Sequence, residues 1–177
     1  MTPLPKLLWL DIETTGLDPM NDEILEIAMV ATDEQGNVEA FYELLLDADD
    51  NGNGSTNEML LSDVKVMKMH TDNGLLKARE NAHMDLFSYE QAEAQLIRHF
   101  LPYLGRPMAG SNPSFDRSFL KVHMPRLERL WHYRHFDMNT LHLFFQTEKD
   151  TQPAAHRALP DLRRDIENLK KIRSNHA

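Results

Sequence analysis

The 177-residue chain has no cysteine, which excludes disulfides, thiolate metal ligands and thiol nucleophiles. Any metal must therefore sit on oxygen or imidazole. Long apolar runs are missing too: no stretch has membrane-spanning length, and the opening MTPLPK lacks the hydrophobic core of a secretory signal. A soluble, cytoplasmic protein with no membrane partner is the expectation. Positive charge is also scarce, with 19 Lys and Arg against 28 Asp and Glu and a net charge of −9. Such a chain repels a long polyanion as a whole. If it acts on nucleic acid, it should hold few phosphates, through local positive charge or a metal, which suits short substrates. No internal repeat or linker breaks the chain, so residues 1–177 read as one domain with a flexible loop at 47–58, DADDNGNGSTNE.

Hydrophobic patterning predicts an α/β fold with a mixed central sheet and flanking helices. Leu7 to Ile12 is almost wholly apolar, as a strand buried on both faces should be. EILEIAMVATD from Glu23 and VEAFYELLL from Val38 follow polar turns and read as the next two strands of a meander. EMLLSDVKVMKM and SYEQAEAQLIRHFLPYL carry apolar residues three and four apart and predict helices, the second capped by Ser88. A short strand at Met108 to Gly110 leads into a helix from about Pro113, and YRHFDMNTLHLFF predicts a strand running into a helix capped by Asp137. The last helix is expected to open at Pro160, with Leu162, Ile166 and Leu169 as its buried stripe.

The first strand ends on two acids, in LLWLDIETTGLDP. Alternate side chains of a strand share a face, so Asp11 and Glu13 point together, and Thr14, Thr15 and Gly16 then turn the chain into a cleft. Two crowded carboxylates are exposed at the strand end, protonated, paired with basic residues, or joined by a divalent cation. No Lys or Arg lies close in sequence. Asp116 and Asp161 each fall in the first turn of a later helix, where the dipole and free amides hold a carboxylate ionised. His156 precedes the second of these helices. Each feature alone has a bland reading as a solvated strand end, a helix-dipole acid or a stray histidine; together they raise the case for a metal centre.

In DIETTGL, NPSFDRSFL and HRALPD the chain resembles the DEDD exonucleases, whose motifs are Asp-x-Glu, a second Asp, and His-x4-Asp. The histidine spacing marks the subgroup with a catalytic histidine. Within it, WLDIETTGLDP, HTDNGL at His70, HYRHFD at His132 and HRALPDLRRDIENL are similar to oligoribonucleases, in the same order and over nearly the whole chain. The resemblance implies a ribonuclease H-like fold, a homodimer, and 3′-to-5′ removal of nucleotides from short RNA. It also implies two divalent cations, Mg²⁺ or Mn²⁺, on Asp11, Glu13, Asp116 and Asp161, with His156 taking the proton from the attacking water. Hard cations prefer this oxygen-only donor set, and an unperturbed imidazole suits a base at neutral pH.

The same resemblance places Leu17 against the bases, His70 near the scissile phosphate, and Tyr133 of a second copy and Arg134 at the 5′ phosphate. Thr14 joins this substrate-binding set. The chain departs from the pattern where Lys65 aligns with a tryptophan and where Asn112 and Asn139 replace serines. Loss of an aromatic platform removes roughly 1–3 kcal/mol of stacking per base, whereas a lysine there can meet another phosphate.

Other features have simpler readings. Arg157, Arg163, Arg164, Lys170, Lys171 and Arg173 form a basic strip that helix geometry scatters and that Asp165 and Glu167 can pair with, which predicts a solvated face. PRLERLWHYRHF reads as a dimer seam, and most of the ten methionines read as core filling. Two alternatives stay open: a DNA-directed 3′-to-5′ exonuclease of proofreading or phage type, and a catalytically idle nucleotide-binding or scaffold domain.

Overall fold

Strand β1, Leu7–Thr14, runs through the middle of a five-stranded sheet ordered β3-β2-β1-β4-β5. The computed structural model describes residues 6–47, 63–82, 85–147 and 155–175. Strands β2, Ile24–Thr32, and β3, Val38–Leu45, complete the antiparallel meander. Strands β4, Met108–Gly110, and β5, His135–Asp137, join on the other side in parallel. The expected flexible loop lies, apart from Asp47, outside the described residues.

The helices in chain order are α1 Val64–Asp72, α2 Leu75–Asn81, α3 Tyr89–Phe100, α4 Pro113–His123, α5 Pro125–Glu128, α6 Met138–Phe145 and α7 Ala158–Asn175. Asp63 caps α1, so that helix begins within EMLLSDVKVMKM; residues 58–62 are not among those described. Ser88 and Gln91 form a reciprocal capping box on α3, and Asp137 caps α6 as expected. Helix α7 opens two residues before Pro160. Proline fits there because the first-turn amides of a helix have no intrahelical acceptor.

The period-two alternation of β1 divides the core. Leu8, Leu10 and Ile12 pack with Leu96, Phe100 and Phe119 on one face. Leu7 and Trp9 pack with Leu162, Ile166 and Leu169 of α7 on the other, and Asp11 and Glu13 continue this second row. Met29, Met108, Met124 and Met138 are buried, as core filling requires, whereas Met20 is exposed. Strand β4 pairs with β1 only at Leu8 and Trp9, so the edge of β1 beyond them is free to meet the start of α4. Gly110 permits that close passage: a Cβ there would come within 2.9 Å of the Leu10 carbonyl oxygen.

Candidate active site

Carboxylate oxygens of Asp11, Glu13 and Asp161 lie within 4.8 Å of one another. The strand's alternation supplies the first two, and the first turn of α7 brings the third from 148 to 150 positions along the chain. Asp116, buried at the start of α4, stands beside Asp11 but outside that trio, with the Ile12 amide directed at its carboxylate. Asp165 completes the cluster from α7. Instead of pairing on a solvated face it is buried and accepts a 2.8 Å hydrogen bond from Ser111 Oγ, because one helical turn after Asp161 points inward.

Crowding carries an electrostatic cost. Desolvation, then the charges of Asp116, Glu13, Asp161 and Asp165, push the Asp11 carboxyl well above its ordinary range. Burial, followed by the charge of Glu26, pushes Glu13 up to about 8, and burial pushes Asp116 up to about 7 against the pull of its amide donors. Arg164 answers part of this charge at 3.0 Å from Asp161 and 3.9 Å from Asp165. The remaining need is for positive charge among hard oxygen donors, which fits a divalent cation on Asp11, Glu13 and Asp161 with Asp116 adjacent.

His156 stands exposed at the end of the described loop before α7, with a left-handed backbone (φ 50°). Three contacts surround it. The Ala155 amide donates to Asp161 Oδ1 at 3.0 Å, Asn73 Nδ2 donates to the His156 carbonyl, and Arg157 forms a forked pair with Glu26. Glu26 is fully buried on β2, directly opposite Glu13, and also accepts the Ala158 amide at 2.9 Å. An open cleft of about 530 Å³, lined by Lys65, Lys68, Met69, Asp72, Asn73, Ala155 and His156, adjoins this loop.

Comparison with known proteins gives this arrangement a family. The RNase_T exonuclease profile matches residues 8–56, which include the Asp-x-Glu strand. An oligoribonuclease of Alkalilimnicola ehrlichii is 33% identical over 175 residues, covering 96% of this chain and 88% of the relative. One from Coxiella burnetii is 34% identical over 183 residues, covering 96% and 93%. The chain belongs to the oligoribonuclease family. Solved structures of exonuclease I share its fold. The enzyme from Methylocaldum szegediense matches with a TM-score of 0.67 at 20% identity, and the zinc-bound Escherichia coli enzyme with single-stranded DNA matches with 0.65 at 16%. These matches cover 96% and 97% of this chain but 40% and 41% of theirs, so the chain spans about two fifths of those enzymes. By family this chain is a 3′-to-5′ exonuclease, and its fold is ribonuclease H-like.

The remaining candidates fall into two groups around the acids. Leu17 is 84% exposed at the tip of the turn after β1, which Asp22 ties together by accepting from the Thr15 hydroxyl and the Asp18 amide. Lys65 is exposed on α1 at the cleft. Asn112 and Asn139 are brought together at the ends of β4 and β5, where both backbone amides donate to Asp137 Oδ1. Tyr133 and Arg134 are exposed and stacked, with the guanidinium 4.7 Å from the ring. Thr14 and His70, by contrast, are buried. The Thr14 hydroxyl donates to the Gly16 carbonyl at 2.6 Å and so closes the turn. His70 is fully buried, its Nε2 3.0 Å from the Thr14 carbonyl and its Nδ1 4.0 Å from Glu13 Oε2, so it braces the strand that carries the acids. Burial lowers its pKa.

Sequence reasoning passes over Glu26 and Asn73 and misses the roles of Asp165 and Arg157. Glu26 carried a signal, since a lone charge inside EILEIAMVA must find a partner once that strand is buried on both faces.

Proposed function

We propose that this chain removes nucleotides from the 3′ end of short RNA. The convergence of Asp11, Glu13 and Asp161 beside a cleft that holds His156 carries this reading. In the reaction, water adds to the phosphorus of the last phosphodiester and the bond to the preceding nucleotide's 3′ oxygen breaks. A 5′-mononucleotide leaves, and the shortened chain keeps a 3′-hydroxyl. Asp11, Glu13 and Asp161, with Asp116 alongside, would hold two divalent cations, Mg²⁺ or Mn²⁺, which when bound supply charge stabilisation for the phosphoryl group and acidify water. His156 accepts the proton of the attacking water, its exposed loop position giving it access to the cleft.

Substrate contacts follow from exposure. Leu17 packs on a base, Lys65 meets a phosphate from the cleft wall, and Asn112, Asn139 and Arg134 receive the 5′ end. Tyr133 of a second copy reaches the same place. A homodimer is part of this reading, and Leu143 (80% exposed) and Phe144 (77% exposed) on α6 supply an apolar face for it. One exonuclease domain spans residues 1–177, and we place its reaction in the cytoplasm from the family resemblance.

Length-resolved digestion tests the proposal: matched RNA and DNA oligomers of two to about twenty nucleotides, with Mn²⁺ or Mg²⁺. Preferential release of mononucleotides from the 3′ end of the shortest RNAs is expected. Faster degradation of DNA would replace RNA as the substrate, and no degradation of any oligomer would leave a nucleotide-binding scaffold.

A further inference from the structure

Asn73 ends α1, and its side chain points two ways. Its Oδ1 accepts the Leu75 amide at 2.9 Å, which fixes the carboxamide and turns Nδ2 toward the site. Nδ2 donates to the His156 carbonyl and lies 3.4 Å from His70 Nδ1. The His156 carbonyl can only accept, and in the neutral tautomer whose Nε2 donates to the Thr14 carbonyl Nδ1 accepts as well. Only the amide nitrogen satisfies that pair; a side-chain oxygen there would face two others' lone pairs.

The capping role accounts for Oδ1 alone. Nδ2 spans to a residue 83 positions away, and that residue has a left-handed backbone which a side-chain-bearing residue keeps only when its surroundings hold it. The neighbours of His156 are held from elsewhere, Ala155 by Asp161 and Arg157 by Glu26. The His156 peptide itself is held by Asn73, and both residues line the same cleft.

We propose that Asn73 is a positioning residue for His156, linking the histidine's backbone through His70 to the strand that carries Glu13. The inference rests on the exonuclease reading of the site and adds a residue to it. Asn73→Asp keeps the Leu75 cap and removes both donors; Asn73→Ala removes cap and donors together; Asn73→Ser keeps a hydroxyl that can donate.

Steady-state rates on short RNA with Mn²⁺, Mn²⁺ affinity, melting temperature and imidazole ¹⁵N spectra of each variant decide the matter. Asn73→Asp is expected to lower kcat by roughly 10–10²-fold, with KM, Mn²⁺ affinity and melting temperature little changed, and Asn73→Ser to recover part of the rate. In a His156→Ala background neither Asn73→Asp nor Asn73→Ala should cost anything more. A loss of the same factor in that background, or a loss that merely follows melting temperature or Mn²⁺ affinity, overturns the proposal. If the unaltered protein cuts no oligonucleotide, the exonuclease reading falls and the spectra still judge the tether. Altered His156 and His70 ring signals in Asn73→Ala and Asn73→Asp support it, and signals identical to the unaltered protein's refute it.

Discussion

At the residue scale, the division of labour between carboxylates and histidine can be separated by substitution. His156 makes no contact with the Asp11, Glu13 and Asp161 oxygens among those described, and its backbone is held independently of its ring. His156→Ala should therefore lose roughly 10²–10⁴-fold in kcat, the range of a removed general base, while calorimetric Mn²⁺ binding stays intact. A parallel loss of Mn²⁺ affinity would make His156 a ligand instead of a base.

At the element scale, the site is a junction between β1, β2, α4 and α7, and the pairing of Glu26 with Arg157 fastens two of them. Glu26 has no exposed surface, and besides the guanidinium it accepts the Ala158 amide at the head of α7. Glu26→Gln removes the negative charge and leaves the guanidinium partly buried without its partner, a cost of about 2–3 kcal/mol. Urea unfolding should show that loss with an unchanged m-value. Removing the charge opposite Glu13 also relieves repulsion there, so the Glu13 carboxyl should fall from about 8. Helix α7 teaches a related lesson. Its apolar stripe is legible from spacing, yet the same spacing puts Asp165 on the solvated side, because helical spacing alone does not reveal that Ser111 and the acid cluster lie opposite it.

At the scale of the whole molecule, crowded acids make stability depend on pH and divalent ions. Free carboxylates titrate near 4, whereas folding raises Glu13 to about 8 and Asp116 to about 7. Between those limits the unfolded chain releases these protons before the folded one does, so this contribution to stability is full below about pH 4 and is lost as pH rises toward 8. In chelator, the melting temperature should fall between pH 5.5 and 8, and Asp11→Asn should weaken the fall. Mn²⁺ at pH 8 should restore stability, by about 2.7 kcal/mol at a hundredfold excess over Kd. Assembly is tested at the same scale: Leu143→Glu together with Phe144→Glu should shift a homodimer to monomer in sedimentation velocity, with α6 retained by circular dichroism.

The sequence by itself determined most of the elements, the short helices α2 and α5 excepted, and singled out the candidate acids, for a physical reason. Strand alternation puts Asp11 and Glu13 on one face, first-turn placement favours Asp116 and Asp161, and period-two and period-3.6 burial lay out a mixed sheet with its helices. Both rest on interactions within a few residues, which a linear reading can see. Only the tertiary structure decided what those acids face and what holds the histidine. Glu26 with Arg157, Ser111 with Asp165, and Asn73 with His156 meet across 54 to 131 positions. Such pairings exist because burial forces each polar group to find a partner, and which partner lies within reach is settled by how the sheet and helices pack.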